Sequence, residues 1–269
     1  DRTSRGLGDV YKRQDYGGTK IEGILINDKG EEILRKRSGY EKNYESGVNT
    51  IKNLVEEFDK NTNSKNSVGI GIPGSSSKEN GLIKNANSIW LNGKPFKKDL
   101  EMSLDREIKI MNDANCFALS EAIDGAGSEH NSVFAVILGT GVGAGYSVNK
   151  QIIVGPNKLT GEWGQNPIPG PMDDYEKSIK RHCGRIGAIE VFLSGPGLEN
   201  HFEFMSESKK TSREIVSLYE ENDPIACEVM DIYFERIARS FSTFVNILDP
   251  DIIVCGGGMS EIDDIYSEV

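Results

Sequence analysis

Along the chain the apolar positions change period several times, and each change predicts an element. Two strands, "KIEGILIND" and "EEILRKRS", flank the turn "NDKG" and predict a hairpin. Behind it, "YESGVNTIKNLVEEFDKN" places Val48, Ile51, Val55 and Phe58 at helical spacing, and "SVGIGIPG" follows as an apolar strand. "EIKIMND" predicts a strand running into the helix "ANCFALSEAI". A second block opens with "SVFAVILGTGVGAGYSVN", whose β-branched residues on both sides of a glycine cluster predict a second hairpin with a tight loop. Near the end, Asp223 and Pro224 suit the N-cap and first position of a long helix. That helix carries Val229, Tyr233, Ile237, Phe241, Val245 and Leu248 on one stripe and leads to the strand "DIIVCGGG". Two blocks that each begin with a hairpin at a glycine turn predict two related α/β domains around a cleft, with the boundary region at residues 117–123.

One stretch, "VYKRQDYGGTK", breaks the pattern. Its second half, residues 15–20, reads as a tight turn that would bring backbone N–H groups up to a phosphate, and such turns leave the ends of buried strands. In front of it stand Lys12, Arg13 and Gln14, residues that sheets seldom bury without partners. A charged strand in that place is expected to leave its neighbours unpaired.

Composition narrows the function classes. At 269 residues the chain is long enough for one large or two medium domains, with the charged and apolar fractions of a globular protein. A formal charge of −11 disfavours partners held through a phosphate backbone, so neither nucleic acid nor an anionic membrane is expected. A small anionic ligand stays open, because a local site can oppose the global charge. No segment approaches the ~20 apolar residues of a transmembrane helix, and no charged-then-apolar leader opens the chain; the expected location is cytoplasmic. Cys116, Cys183, Cys227 and Cys255 are widely spaced without a CxxC pair, which argues against a disulfide framework.

Three glycine clusters remain: "DYGGTK", with Gly17, Gly18, Thr19 and Lys20; "LGTGVGAG", with Gly139, Thr140, Gly141 and Gly143; and "CGGGMS", with Gly256, Gly257 and Gly258. Singly, each is as well read as a tight bend with no ligand. Together, backbone nests at strand ends in two domains could clamp a nucleoside triphosphate, with Thr19 and Thr140 adding hydroxyl donors. None fits the GxxxxGK[ST] P-loop, and the second lacks the helical continuation of a dinucleotide fold.

The stretches "DYGGTKIE", "VGIGIPGS", "NDANCFALSEA", "ILGTGVGAGYSVN", "TGEWG", "IEVFLSG" and "LDPDIIVCGGGMS" resemble, in order and approximate spacing, the ROK family of bacterial sugar kinases. The resemblance covers residues 15–269 and implies an α/β, actin-like ATPase (ribonuclease H-like) fold with two domains around a nucleotide and sugar cleft. Within the family, "KNANSIWLNGKPFKKDL" and "GEWGQNPIP" are most similar to the fructokinase branch and less so to N-acetylglucosamine kinases. "TSRGLGDVYKRQ" resembles translated adaptor sequence, so residues 1–14 are expected to be a non-native leader, residues 15–118 a small N-terminal domain and residues 119–269 a larger C-terminal one. Family members continue past "GGGMS" with a helix and a closing strand and helix, so the C-terminus is expected to be truncated and the helix near Tyr233 and Phe241 partly uncovered.

The resemblance also implies roles. Asp113 would be the catalytic base that takes the proton of the attacking hydroxyl; from its own stretch alone it is equally a plain helix N-cap. Asn112, Glu162, Gln165 and Glu190 would contact the sugar, and Gly74 would let it approach the backbone, although each suits a solvated loop as well. Asp15 would orient Mg²⁺ through water, and the residues at 256–258 would approach the adenosine and phosphates of ATP. Many family members also hold a structural zinc through the histidine of GExGH and three cysteines of CxCGxxGC. Here those positions carry Gln165, Arg181, Cys183 and Ala188, with His182 adjacent, so the zinc site is expected to be lost. The expected reaction is ATP-dependent phosphorylation of fructose to fructose 6-phosphate. The alternatives are an N-acetylglucosamine kinase or glucokinase of the same family, or an inactive sugar-binding remnant. A repressor of this family would carry a basic helix-turn-helix ahead of the glycine turn, for which these residues are unsuited. The expected partner is a small-molecule hexose, and a homodimer is left open.

Overall fold

A computed structural model describes residues 20–86, 88–181 and 184–269 together with the backbone of a strand at Asp9–Lys12. In chain order the elements are β1 (Asp9–Lys12), β2 (Lys20–Ile26), β3 (Glu32–Gly39), α1 (Tyr44–Thr62), β4 (Ser67–Ile72), β5 (Ser75–Ser76), β6 (Ile83–Lys84), α2 (Phe96–Leu104), β7 (Ile108–Asn112) and α3 (Asp113–Ile123). They continue with β8 (Ser132–Leu138), β9 (Val142–Val148), β10 (Gln151–Ile152), α4 (Asp174–Ser178), α5 (Glu190–Leu193), α6 (Gly195–Ser206), α7 (Ser212–Glu220), α8 (Pro224–Leu248), β11 (Ile252–Gly256) and α9 (Ile265–Glu268). Two compact units result, Asp1–Cys116 and Phe117–Val269.

In the first unit, β1, β4 and β7 form a parallel sheet in that order, with Val10 opposite Val68 and Ile72 opposite Asn112. The charged leader was expected to leave the neighbouring strand unpaired; instead its Asp9–Lys12 backbone pairs with β4. A parallel ladder is made of main-chain groups, so it can form whatever side chains the strand carries. The expected first hairpin is β2 against β3, with a register irregularity between Leu25 and Ile26. Asn43 caps α1 by accepting from Ser46 N, and Ile51, Leu54, Val55 and Phe58 turn inward, the 3.6-residue period burying one stripe. Behind that stripe, Asp59 pairs with Arg106, whose Nη1 also donates to Asn66 O at 2.8 Å.

The second unit is built on a mixed sheet in the order β10-β9-β8-β11, antiparallel from β8 to β10 and parallel between β8 and β11. Helix α8 starts as expected: Asp223 accepts from Ile225 N and Ala226 N, and Pro224 occupies the first turn. Val229, Tyr233, Ile237 and Phe241 are buried, but Val245 is exposed and Phe244 takes its place in the core. Each i, i+4 step rotates by about 40°, so a stripe written only in fours walks off the face within a few turns. Phe244 stacks on Phe134 with centroids 4.0 Å apart. Tyr233 and Phe241, expected to be partly uncovered, are only 2% and 8% exposed. The hydroxyl of Tyr233 donates to Leu193 O at 2.9 Å, and Phe241 packs edge-on against Trp163, so the unit's own elements cover both.

A buried ionic cluster ties α4 to α8. Glu176 Oε1 accepts from Arg236 Nε at 2.8 Å and from Arg239 Nη2 at 2.6 Å, and Asp173 both caps α4 and pairs with Arg236. Arg236 also reaches His201 Nδ1 at 3.2 Å and lies over the rings of Tyr175 and Phe192. Among the described residues, no helix is long and apolar enough to cross a membrane, and Cys116, Cys227 and Cys255 form no disulfide.

Candidate active site

In the first unit the expected residues leave the carboxyl ends of parallel strands. Gly74 follows β4, and Asn112 ends β7 where Asp113 opens α3. Such carboxyl ends are where open α/β sheets carry ligands. Gly74 has φ +78°, and a Cβ there would stand 2.5 Å from Lys84 O, so only glycine lets this turn lie against the β6 backbone. Asn112 Nδ2 donates to Gly74 O at 3.2 Å while its Oδ1 accepts from Asn115 N at 3.2 Å. The amide is thereby oriented, with one N–H and one lone pair beyond these two bonds. Asp113 Oδ1 accepts from Ala114 N at 2.8 Å at the helix start. Lys20 begins β2, whereas Asp15, Gly17, Gly18 and Thr19 lie outside the described residues.

The second unit brings its two glycine clusters side by side. β8 and β11 are parallel neighbours, with Cys255 opposite Val136 and Gly256 opposite Ile137, so both clusters leave the same end of the sheet. Gly139 N donates to Gly141 O at 3.0 Å, and Gly139 O accepts from Gly195 N at 2.8 Å, which ties this turn, with Thr140 at its tip, to the start of α6. Gly143 is already within β9. Gly257 has φ +92°, and a Cβ there would stand 2.3 Å from Leu138 O. The close approach of the two turns therefore needs glycine at this position, and Gly258 begins the 3₁₀ turn that follows. Burial pushes the Cys255 thiol, just ahead of the cluster, up to about 11, so it stays protonated.

The carboxylates expected at the sugar are each held by a neighbour. Glu162 precedes and Gln165 ends a 3₁₀ turn docked on β9, where Ala144 N donates to Gly161 O at 2.9 Å. Gln165 Nε2 donates to Glu162 Oε2 at 2.6 Å. Glu190 opens α5, and its Oε1 accepts from Arg181 Nε at 2.9 Å while its Oε2 lies 3.4 Å from Val142 N. A Cβ at Gly141 would come 3.1 Å from that same Oε2, so this glycine of the β8–β9 turn borders Glu190. Sequence reasoning did not find the Arg181 contact, although a cation nine residues ahead of a glutamate was the available signal.

The residues at the family's zinc positions do not fit that metal. Gln165 spends its amide on Glu162, Arg181 puts a guanidinium where a thiolate would be needed, and Ala188 has no ligating atom. Cys183 and His182 lie outside the described residues. Mg²⁺ would arrive with ATP; its expected ligand region at Asp15 is also outside the described residues.

The model of the ROK family matches residues 14–269. An N-acetyl-D-glucosamine kinase of Vibrio atlanticus is 35% identical over 265 residues, covering 97% of this chain and 88% of its own. Among solved structures, a ROK hexokinase from Thermus thermophilus superposes with a TM-score of 0.84 at 22% identity, covering 97% of this chain and 86% of its own. A ROK glucokinase from Streptomyces griseus in complex with glucose and AMPPNP gives 0.77 at 22% identity, covering 98% and 87%.

Proposed function

The chain belongs to the ROK family, and on that premise we propose that it transfers the γ-phosphoryl group of ATP to the 6-hydroxyl of N-acetylglucosamine. The fold is the actin-like ATPase fold and the activity class is ATP-dependent sugar kinase. The observation that carries the substrate is the 35% identity, over 97% of the chain, with a relative named N-acetyl-D-glucosamine kinase. That finding turns the reading away from the expected fructose, because short stretches such as "GEWGQNPIP" weigh less than similarity along the whole chain.

In the proposed reaction Asp113 accepts the proton of the attacking hydroxyl, the hydroxyl oxygen bonds to the γ-phosphorus, and the bond to the bridging oxygen breaks to release ADP. Asn112, Glu162, Gln165 and Glu190 fix sugar hydroxyls and Gly74 admits the ring. The glycine turns at 139–141 and 256–258 offer backbone N–H groups to the nucleotide, and Asp15, Gly17, Gly18, Thr19 and Lys20 complete that assignment with Mg²⁺. Such chemistry asks for positioning and charge neutralisation more than covalent participation, which suits turns locked by their own hydrogen bonds.

An ATP-coupled assay over N-acetylglucosamine, glucose, N-acetylmannosamine and fructose tests the proposal. The highest kcat/KM is expected for N-acetylglucosamine. Faster turnover of fructose would return the substrate to the first expectation, and no turnover of any sugar would leave an inactive remnant.

A further inference from the structure

We infer that Arg181 is a positioning residue of the hexose site, its guanidinium holding the Glu190 carboxylate in place so that this part of the site needs no metal. The inference rests on the reading of the protein as a ROK hexose kinase in which Glu190 meets a sugar hydroxyl. Arg181 Nε donates to Glu190 Oε1 at 2.9 Å, and the two side chains are 13% and 23% exposed. On open surface such a pair contributes little, since water screens it and ordering two long side chains costs entropy. This pair is largely shielded, and the arginine end is set by its backbone. Arg181 N donates to Arg185 O and Gly184 N to Arg181 O, both at 2.8 Å, and Lys180 bridges to Ile186. The guanidinium is therefore delivered from a fixed point.

At the other end, one oxygen of Glu190 is anchored tightly and the other loosely. Among the described residues, Oε2 accepts one long hydrogen bond from Val142 N at 3.4 Å, near the limit of such a bond. A carboxylate held by one oxygen is oriented before any ligand arrives, and a hydroxyl that then binds the second oxygen need not order the side chain itself.

The surrounding segments share the device. Ile168 N donates to Gly187 O at 2.7 Å, Ile189 N to Asn166 O at 2.9 Å and Arg185 Nη1 to Gln165 O at 2.6 Å, which sews the segment of Glu162 to that of Glu190. Both carboxylates are thus held by side chains at positions where the family pattern carries zinc ligands, Gln165 on Glu162 and Arg181 on Glu190. Arginine remains charged at any working pH and would repel a divalent cation there. In this chain hydrogen bonds and an ion pair do the anchoring.

Calorimetric titration of the whole chain with N-acetylglucosamine, glucose and fructose, without nucleotide, tests the inference on wild type, Arg181→Met, Arg181→Lys, Glu190→Gln and the Arg181→Met/Glu190→Gln pair. Arg181→Met should raise the Kd of the bound hexose by ~10-fold or more, and Arg181→Lys by less. The double variant should bind no more weakly than Glu190→Gln alone, because both changes disable one device. Binding of a non-hydrolysable ATP analogue and the Tm should hold near wild type in Arg181→Lys, and metal analysis should find less than stoichiometric zinc. Wild-type hexose affinity in Arg181→Met beside a weakened Glu190→Gln overturns the inference. So does a joint loss of Tm, nucleotide and hexose binding in both arginine variants, one zinc per chain, or a wild type that binds no hexose. Binding of N-acetylglucosamine without turnover, or tighter binding of fructose, contradicts the proposed function instead, and the variants then decide the role of Arg181 on whichever hexose binds.

Discussion

Asp113 shows how much one side chain is asked to do. It stands at the junction of β7 and α3, where a carboxylate satisfies a helix start whether or not it also takes a proton. Asp113→Asn separates the two roles, because the amide keeps the shape and an accepting oxygen but cannot act as a base. The expected result is a fall in kcat of ~100-fold or more with hexose affinity largely kept; a variant that turns over normally would remove Asp113 from the chemistry. His201 carries a different prediction. Burial, and then the Arg236 guanidinium, push its pKa from 6.5 down to about 4, against the pull of Asp173 and Glu176. Between those values the unfolded chain binds a proton that the folded chain refuses, so the stabilisation is complete above 6.5 and lost as pH falls towards 4. Urea midpoints should decline through that window, and His201→Gln should flatten the decline. Of these residues, Asp113 was legible as a helix start because its motif is local, whereas the environment of His201 comes from two other elements, α4 and α8.

At the scale of elements, α8 was legible at its start and less so at its end. Asp223 and Pro224 act through the first turn of backbone, which sequence determines, but the choice of Phe244 over Val245 depends on where the sheet lies under the last turns. The link from α4 to α8 was not legible at all, since Glu176 and Arg236 are 60 residues apart and charged side chains in a sequence normally mark a solvated face. Glu176→Ala would leave Arg236 and Arg239 without the carboxylate oxygen they share, and a loss of roughly 3–5 kcal/mol is expected from denaturant unfolding. Replacing the pair together, Glu176→Leu with Arg236→Met, should recover part of it, because Arg236 is then no longer stranded and Arg239 keeps its contacts to Glu235 and Pro171 O. A double variant as unstable as the single would show that the cluster contributes through something other than charge pairing.

For the whole molecule the prediction is one of linkage. A ligand that binds only the folded chain stabilises it by about 2.7 kcal/mol at a hundred times its Kd, which for a chain of this size is a Tm rise of roughly 5–10 °C. N-acetylglucosamine should therefore raise the Tm more than fructose at equal concentration; the reverse order would contradict the proposed substrate. The sequence by itself determined both hairpins, the helix carrying Ile51 to Phe58 and the glycine turns that follow β8 and β11, because period, caps and turn chemistry act within a few residues of backbone. Tertiary structure alone decided that the turns at 139–141 and 256–258 lie side by side, since that follows from β8 and β11 pairing across more than a hundred intervening positions. It also decided that Gln165, read in sequence as a sugar contact and a missing zinc ligand, and Arg181, read only as a missing zinc ligand, are the groups that hold Glu162 and Glu190. Long polar side chains have many rotamers and many eligible partners, and only the packed chain brings one of those partners within reach.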